Sequence, residues 1–507
     1  MSTSCGRIGG VSLLMWLGFG CAGTGEELVR EDLAAYRERL YREPTQGALQ
    51  SNTSGQSERA GQAEPNSRKM QHAPDGRLAR YLALAMARQP ALAAAFARFE
   101  ASVARISRAR RLPEPTLSFG YFLQSVETRV GPQRARLSLQ QSFPWPTKLL
   151  AGADAASAQA RAAQRRFEAQ SLAVTARVAT VYWDLWQVRR TRTIHREHLS
   201  VLQSLSEAVN ARLATGAVSL AEQQQVDLAA ARLQDAIAGM DESEWAAQAR
   251  LRAAVGLPEG TPFLTLATVD DPPPACLPEA AEASLKERAL EHPFIAAFGS
   301  AAEAHEASAR MEAADRLPSF TVGADWILTG EAAMSGVQDS GKDALMVGVG
   351  LRLPIFQGSY SESVEAAEAD GRAERKSQQA AADQALAELQ LALSALRDAV
   401  RRVELHEYTL LPQAEAAYRS VLGAYTTNRG SVAQLLLAQR DLLELNIALQ
   451  QARADHARAW SRLEQVVGQH LGHGQVCDGG EGNHLRPGGG GSLEDTKATE
   501  AKENGHG

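Results

Sequence analysis

Two stretches of the chain alternate apolar residues with small or polar ones, which is the pattern of β-strands that have one apolar face. In each stretch two alternating segments are separated by a polar or glycine-rich loop, so each stretch predicts one β-hairpin. The apolar positions of interest are Leu117, Phe119, Tyr121 and Leu123 in the first hairpin, and Leu345, Val347, Val349 and Leu351 in the second.

A helix is predicted before each hairpin, over residues 80–111 and 281–315. Each ends at a Leu-Pro step, because proline disfavours the helical conformation in the residue before it. A much longer helix is predicted after each hairpin, over residues 149–214 and 359–427. At ~1.5 Å per residue, each long helix extends roughly 100 Å.

A turn containing Gly216 or Gly430 ends each long helix and reverses the chain into a return helix. The return helix is about 38 residues, or ~57 Å, and the helix before the hairpin adds ~45–52 Å, so the two together match one long helix. The sequence therefore predicts a rod with a hairpin at one end and a tight turn at the other. Each return helix starts with a capping box, in which a serine and the residue three positions later satisfy each other's backbone amides. The two boxes are Ser219-x-x-Glu222 and Ser431-x-x-Gln434.

The same order of elements occurs twice, at a spacing of roughly 205–214 residues, which indicates a duplicated unit. The segment Arg111–Gly120 matches Arg316–Gly323, and both contain the Leu-Pro step and the start of a strand. The domains predicted from this duplication are a first repeat over 80–270 and a second over 271–468. Residues 22–79 form an N-terminal extension and polar linker, and 469–507 are predicted to be a disordered glycine-rich tail.

The first 21 residues have the pattern of a secretory signal peptide, with Arg7 followed by an apolar run from Ile8 to Gly20. Cys21 directly follows Gly20 and is a candidate for lipidation, as in a bacterial lipoprotein signal. A plain cleaved signal peptide is the alternative. No other stretch approaches the ~18 consecutive apolar residues of a membrane-spanning helix.

Composition narrows the classes of function. Hydrophobic residues make up 44% of the 507 residues but aromatic residues only 6%, a profile that favours long alanine-rich helices. The net charge of −6 without a strongly basic block argues against a nucleic-acid partner. No cysteine or histidine cluster has metal-ligand spacing, so neither a metal nor another cofactor is expected. Cys276 and Cys477 are compatible with one disulfide bridge or with two free thiols.

One segment comes close to a phosphate-binding loop. Residues Gly336–Asp343 nearly satisfy G-x-x-x-x-G-K-[ST], but Asp343 replaces the hydroxyl residue and a predicted strand follows instead of a helix. The interpretation is an exposed hairpin loop. No set of nucleophile, base and orienting residue is found either, so no enzymatic activity is predicted.

The duplicated order of helix, Leu-Pro, strand pair, long helix, glycine turn and return helix resembles the bacterial outer-membrane efflux proteins of the TolC family, over about residues 80–468. The most specific matching segments are Arg316–Phe320, Leu353–Gly358 and Gly430–Arg440. The resemblance implies a mainly α fold in which long antiparallel helices form a periplasmic α-barrel. It also implies that the two hairpins contribute four strands to a transmembrane β-barrel shared by a homotrimer in the outer-membrane lipid.

The resemblance further implies an outer-membrane channel of a tripartite efflux or export system. Such a duct spans the periplasm and receives small molecules from a periplasmic adaptor protein and an inner-membrane pump. A periplasmic coiled-coil scaffold without a pore is the alternative function, although it leaves the apolar faces of the hairpins unused.

The periplasmic tip departs from the family pattern. Members often have two acidic residues after the second glycine turn, and the matching positions here are Gln434 and Leu437. One hypothesis is that Gln434 and Leu437, with Glu222 of the first repeat, form the constriction of the closed tip. The other is that Gln434 and Glu222 are only capping-box residues and that Leu437 packs in the seam between helices.

Overall fold

The computed structural model describes residues 24–41, 77–258, 270–278 and 280–471. Helices dominate this part of the chain, and four strands form one small sheet. The predicted signal peptide, Cys21, residues 42–76, Cys477 and most of the C-terminal tail lie outside the described residues.

The elements follow one another in the duplicated order. Before and within the first repeat they are α1 (Thr24–Tyr41), α2 (Leu78–Arg88), α3 (Pro90–Ala109), β1 (Thr116–Thr128), β2 (Gly131–Phe143), α4 (Pro146–Ala214) and α5 (Leu220–Val255). In the second repeat they are α6 (Glu282–Leu290), α7 (Pro293–Ala314), β3 (Ser319–Thr329), β4 (Ala344–Arg352), α8 (Gln357–Leu405), a π-helical turn (His406–Leu410), α9 (Leu411–Thr426) and α10 (Val432–Val467).

The helices before the hairpins are not continuous, and the prediction of single helices over 80–111 and 281–315 is wrong in this respect. Pro90 is the first residue of α3 and Pro293 the first of α7. The residues before them, Gln89 and His292, have extended ψ angles of 116° and 135°. Proline has no backbone N–H to donate and disfavours the helical conformation in the preceding residue, so each helix breaks there.

The second long helix is also interrupted. The predicted helix over 359–427 contains the π-helical turn His406–Leu410 directly before Leu411 and Pro412. A π-helical turn adds one residue to the ring between hydrogen-bonded groups. The wider turn leaves room for Pro412, whose ring and missing backbone N–H would disrupt a regular α-helix at this point. The first long helix contains no internal proline after its first turn and runs unbroken from Pro146 to Ala214.

The return helices end against the starts of the helices that lead into the hairpins, as the length arithmetic predicted. At the first junction α5 ends at Gly256, whose φ is 78°, and a Cβ there would lie 2.9 Å from the Arg88 carbonyl oxygen. At the second junction α10 ends at Gly468, whose φ is 74°, and a Cβ would lie 3.2 Å from the His292 ring. Glycine is needed at both positions because other residues strain at positive φ.

The sheet is antiparallel with the order β1-β2-β3-β4, so the hairpins of the two repeats are joined through β2 and β3. This arrangement confirms the prediction of a mainly helical fold with two hairpins and four strands. The strands β1 and β4 are the edges of the sheet.

The helices form a wall in which neighbours pack side by side, in an order that matches the order of the strands. Below the sheet, α3, α4, α7 and α8 pack side by side in that order. Beyond the junctions the order is α5, α4, α10 and then α8 with α9. At every level one edge belongs to the first repeat (β1, α3, α5) and the other edge to the second (β4, α8, α9).

Helix α1 was not predicted, since the sequence of residues 22–79 was assigned to an extension and linker. Val29 and Leu33 of α1 are buried, and the Tyr36 ring meets Phe167 edge-on with centroids 5.1 Å apart. Arg30 donates to Ser107 (2.8 Å), whereas Arg37 pairs with Glu100, nearer the start of α3. Helix α1 is therefore antiparallel to α3 and begins beside the end of α3 that leads into β1.

The connection between the repeats is attached to the helices. The Leu78 backbone N–H donates to the Asp270 carboxylate (3.0 Å), and the Asp270 N–H donates to the Tyr182 hydroxyl (2.9 Å). Farther along, the buried His456 ring lies 3.2 Å from the Cys276 backbone nitrogen. Cys276 is disulfide-bonded, and the other cysteines of the chain lie outside the described residues.

Candidate functional site

The predicted apolar positions of the strands form one continuous exposed face. The register places Leu117 beside Leu139, Leu139 beside Ala324, and Ala324 beside Val347. Directly paired residues of neighbouring strands share a face, so the apolar face runs across both hairpins. The exposed fractions are Leu117 66%, Phe119 67%, Tyr121 65%, Leu123 98%, Leu345 76%, Val347 70%, Val349 73% and Leu351 52%.

The opposite face of the sheet has mostly polar or small residues, apart from Ile327 and Met346, and contains an ion pair that was not predicted from the sequence. Arg136 of β2 and Asp325 of β3 are joined by guanidinium–carboxylate contacts of 2.9 and 3.0 Å. The Ser138 hydroxyl donates to the same carboxylate oxygen. The alternation of β2 assigns Arg136 and Ser138 to this face, but only the register between the repeats reveals their partner.

The two turns at the far end of the helices lie side by side. Gly216 ends α4 with a φ of 73°, and Gly430 lies just before α10, where a Cβ would approach the Tyr425 backbone nitrogen to 3.1 Å. The Arg212 guanidinium lies over the Tyr425 ring, 4.8 Å from its centre, and so connects the tips of the two repeats. A cation over an aromatic face is an attractive contact. Neither residue was identified from the sequence, which has no signal for a contact across the repeats.

Both capping boxes are formed. The Glu222 carboxylate accepts from the Ser219 N–H (2.9 Å), and the Gln434 side-chain oxygen accepts from the Ser431 N–H (3.2 Å). Glu222 and Gln434 thus have the capping role that one hypothesis assigned to them. Leu437, by contrast, is 60% exposed and does not pack between helices within one chain.

A side chain bridges the two helices at each junction. At the first, the Gln89 amide donates to the Ala254 carbonyl at the end of α5 (2.9 Å), while its oxygen accepts from the Ala91 N–H of α3 (3.3 Å). At the second, the His292 Nδ1 accepts from the Phe294 N–H of α7 (3.1 Å). The Gln465 backbone of α10 is a hydrogen-bond partner of the same ring.

Burial shifts the pKa of several groups away from the sheet. The pKa values of His198, His292 and His456 are lowered chiefly because burial disfavours the charged imidazolium. For His292, the Gln465 backbone and the Glu388 carboxylate oppose this effect in part. Burial raises the pKa of the Tyr182 phenol above its usual 10.0.

The other residues that drew attention in the sequence have ordinary structural roles. The near phosphate-binding loop leads into strand β4, and its Asp343 carboxylate accepts from the Thr329 N–H (2.8 Å) and the Trp326 indole (3.0 Å). Within the described residues no cluster of His, Cys, Asp or Glu could hold a metal ion. None of the helices in the described part of the chain combines the length and apolar character that crossing a membrane requires.

Comparisons with solved structures show the same fold. The outer membrane protein VceC from Vibrio cholerae is 21% identical, with a TM-score of 0.63 over 78% of this chain and 97% of that chain. The open-state MtrE outer membrane channel of Neisseria gonorrhoeae is 19% identical, with a TM-score of 0.62 over 78% and 90%. The CmeC outer membrane channel of Campylobacter jejuni is 15% identical, with a TM-score of 0.62 over 82% and 90%. No curated protein matches the chain.

A sequence profile of the outer membrane efflux protein family matches residues 81–257 and 285–469, which include the hairpin and the long helices of each repeat. This family consists of channels rather than enzymes. The chain therefore belongs to the outer membrane efflux protein family and is an efflux channel protein of the outer membrane that spans the periplasm.

Proposed function

We propose that three copies of this chain close into a ring and form the passive duct of a tripartite efflux system. The observation that carries the proposal is that the wall has two unlike edges at every level, β1, α3 and α5 on one side and β4, α8 and α9 on the other. Unlike edges that meet head to tail generate a closed ring when the rotation between copies closes. The edge of one copy then pairs with the opposite edge of the next.

The sheet supports closure for an energetic reason. Its edge strands β1 and β4 have unpaired backbone groups, which cannot remain open in lipid because each unsatisfied group costs several kcal/mol there. Closed membrane barrels begin at about eight strands, whose interior is filled by side chains, so an open duct needs more than two copies. Three copies of the four strands supply twelve. Lipid then covers the apolar face and the polar face lines the lumen.

The assembly is tested by placing the same charge on each face of β4. We expect V347R to prevent insertion, because an arginine on the lipid side of a barrel costs up to about 2–4 kcal/mol per copy. The matched control is G348R, since a Cβ at Gly348 on the polar face meets nothing within 4 Å. Native mass spectrometry and heat-modifiability of outer-membrane fractions measure the trimer. If both variants lose the trimer equally, or if neither loses it, the assignment of Val347 to the lipid face and Gly348 to the lumen face is wrong.

The far end of the helices is the proposed docking site for the periplasmic adaptor protein, which connects the duct to an inner-membrane pump. We assign Gly216 and Gly430 to the turns of this tip and the exposed Leu437 to its constriction, where the matching family position is acidic. Single-channel recordings test the assignment through L437D, which is expected to introduce block by divalent cations. Unchanged conductance and no divalent block would place Leu437 outside the pore.

We also propose that Cys21 is lipidated. Helix α1 starts at Thr24, three positions after Cys21, and begins beside the end of α3 that leads into β1. An acyl chain on Cys21 would therefore lie near the membrane end of the wall. Palmitate labelling of the wild type, lost in C21S, measures the modification, and an unlabelled wild-type protein would exclude it.

A further inference from the structure

The charges on the polar face of the sheet are few and unevenly placed. Within the regularly paired part of the described sheet, this face has three charged residues, Arg136, Asp325 and Arg352. Arg352 lies at the end of β4 that leads into α8, whereas Arg136 and Asp325 lie farther along the sheet. Asp325 is thus the one carboxylate on the polar face within the regularly paired part of the described sheet.

In this ion pair the carboxylate of Asp325 is buried, whereas the guanidinium of Arg136 is partly exposed. The Asp325 side chain is 7% exposed, whereas that of Arg136 is 46% exposed. One oxygen of the Asp325 carboxylate receives the guanidinium and the Ser138 hydroxyl together. The group exposed to the lumen is therefore the Arg136 guanidinium, and the buried Asp325 carboxylate neutralises its charge.

From this geometry we propose that Asp325 controls the charge preference of the duct by neutralising Arg136 in the wall of the lumen. The inference rests on the proposed closure of the sheet into a channel, which repeats the pair once in every copy. Rings of charged side chains are a means by which pores select between cations and anions. With Asp325 in place, the ring at this level is neutral and admits solutes of either charge. Without it, the uncompensated Arg136 ring attracts anions and repels cations.

A purely structural role is the competing explanation, because the pair joins the hairpins of the two repeats. The two roles differ in what they change. Loss of a structural contact lowers the stability of the trimer, whereas loss of charge compensation changes the ratio of anion to cation permeability. Ser138 offers a matched control, since S138A removes a hydrogen bond to Asp325 and leaves both charges in place.

The test is the reversal potential of reconstituted full-length trimers in a potassium chloride gradient at low ionic strength, where screening is weak. D325N is expected to raise the anion-to-cation permeability ratio by at least about twofold, and R136Q to lower it by a comparable factor. The double variant R136Q/D325N and the control S138A are expected to stay near the wild-type ratio. At high salt the differences should shrink.

The proposal is supported if the anion-to-cation permeability ratio shifts in opposite directions in D325N and R136Q and if the two shifts cancel in the double variant. An unchanged ratio in both single variants, or a shift in the same direction, overturns it and leaves the pair with a structural role. Wild-type trimers that conduct no ions at all would instead refute the proposed duct, so the two failures are distinguishable.

Discussion

The two helix junctions have the same geometry but different chemistry. In the first, α5 ends at Gly256 and the neutral amide of Gln89 hydrogen-bonds both helices. In the second, α10 ends at Gly468, and the imidazole of His292 contacts both helices in the equivalent place. In both repeats the residue directly before the proline therefore has a side chain that accepts one hydrogen bond and donates another.

The difference between the two residues lies in what protonation does. A glutamine amide keeps its acceptor and donor at any physiological pH. The His292 Nδ1 can accept from the Phe294 N–H only while it is unprotonated, and an imidazolium has two donors and no acceptor. A positive charge at the start of α7 also opposes the helix dipole. The second junction is therefore sensitive to acid in a way that the first is not.

The largest expected effect comes from adding a methyl group at the first junction. G256A should lower the free energy of unfolding by about 2–4 kcal/mol, because a positive φ strains alanine and the new Cβ would lie 2.9–3.0 Å from the backbone of Arg88 and Gln89. At the second junction the nearest atom is 3.2 Å away on a side chain. G468A should therefore cost only the strain, about 1–2 kcal/mol. Denaturant unfolding of both variants measures the difference, and equal losses would mean that the backbone clash at Gly256 is relieved without cost.

An intermediate effect is expected when the first bridge is removed. Q89A deletes the cap of α3 and the donor to the end of α5, and should cost about 1–2 kcal/mol, in the range of a lost helix cap with its hydrogen bonds. Hydrogen exchange at the first turn of α3 should rise in the same variant. Q89H should restore part of the stability at neutral pH, because a neutral imidazole accepts from the Ala91 N–H as His292 does from Phe294. If Q89A unfolds as the wild type does, the bridge contributes nothing measurable.

The smallest expected effect is acid weakening of the second junction. Burial lowers the pKa of His292 from its usual 6.5, so the folded state favours the neutral ring. Stability from this group is complete above pH 6.5 and falls as the pH decreases towards the folded pKa, because the unfolded chain takes up the proton more readily. The loss should reach about 1 kcal/mol, the usual value of a helix cap.

The control for the acid effect is H292Q, which copies the first junction. His198 and His456 also have lowered pKa values, but they remain in both proteins, so the difference between wild type and H292Q isolates His292. Hydrogen exchange at residues 293–296 as a function of pH is the measurement. The same acid response in H292Q would show that other charges control this region. Charged residues around His292 are its neighbour Glu291, Arg166 of α4 and Glu388 of α8, which also pairs with Arg462 of α10.

Much of the fold was accessible from local patterns. Alternation over β1 and β4 predicted the strands and their apolar faces, and the capping boxes at Ser219 and Ser431 marked the starts of α5 and α10 within one residue. These features depend on neighbours a few positions apart. The breaks at Pro90 and Pro293 were missed, although proline gives a local signal, because the apolar helical pattern continues through both.

The sequence by itself determined the duplication, the extent of the first long helix and of the two return helices, the two hairpins and the composition of their faces, because each follows from short-range periodicity, caps and turns. Only the tertiary structure decided which partners meet. Arg136 and Asp325, Arg212 and Tyr425, and Gln89 and Ala254 lie far apart along the chain and come together through packing between elements. The same holds for the unlike edges of the wall, since an edge exists only once the order of strands and helices is set by long-range contacts.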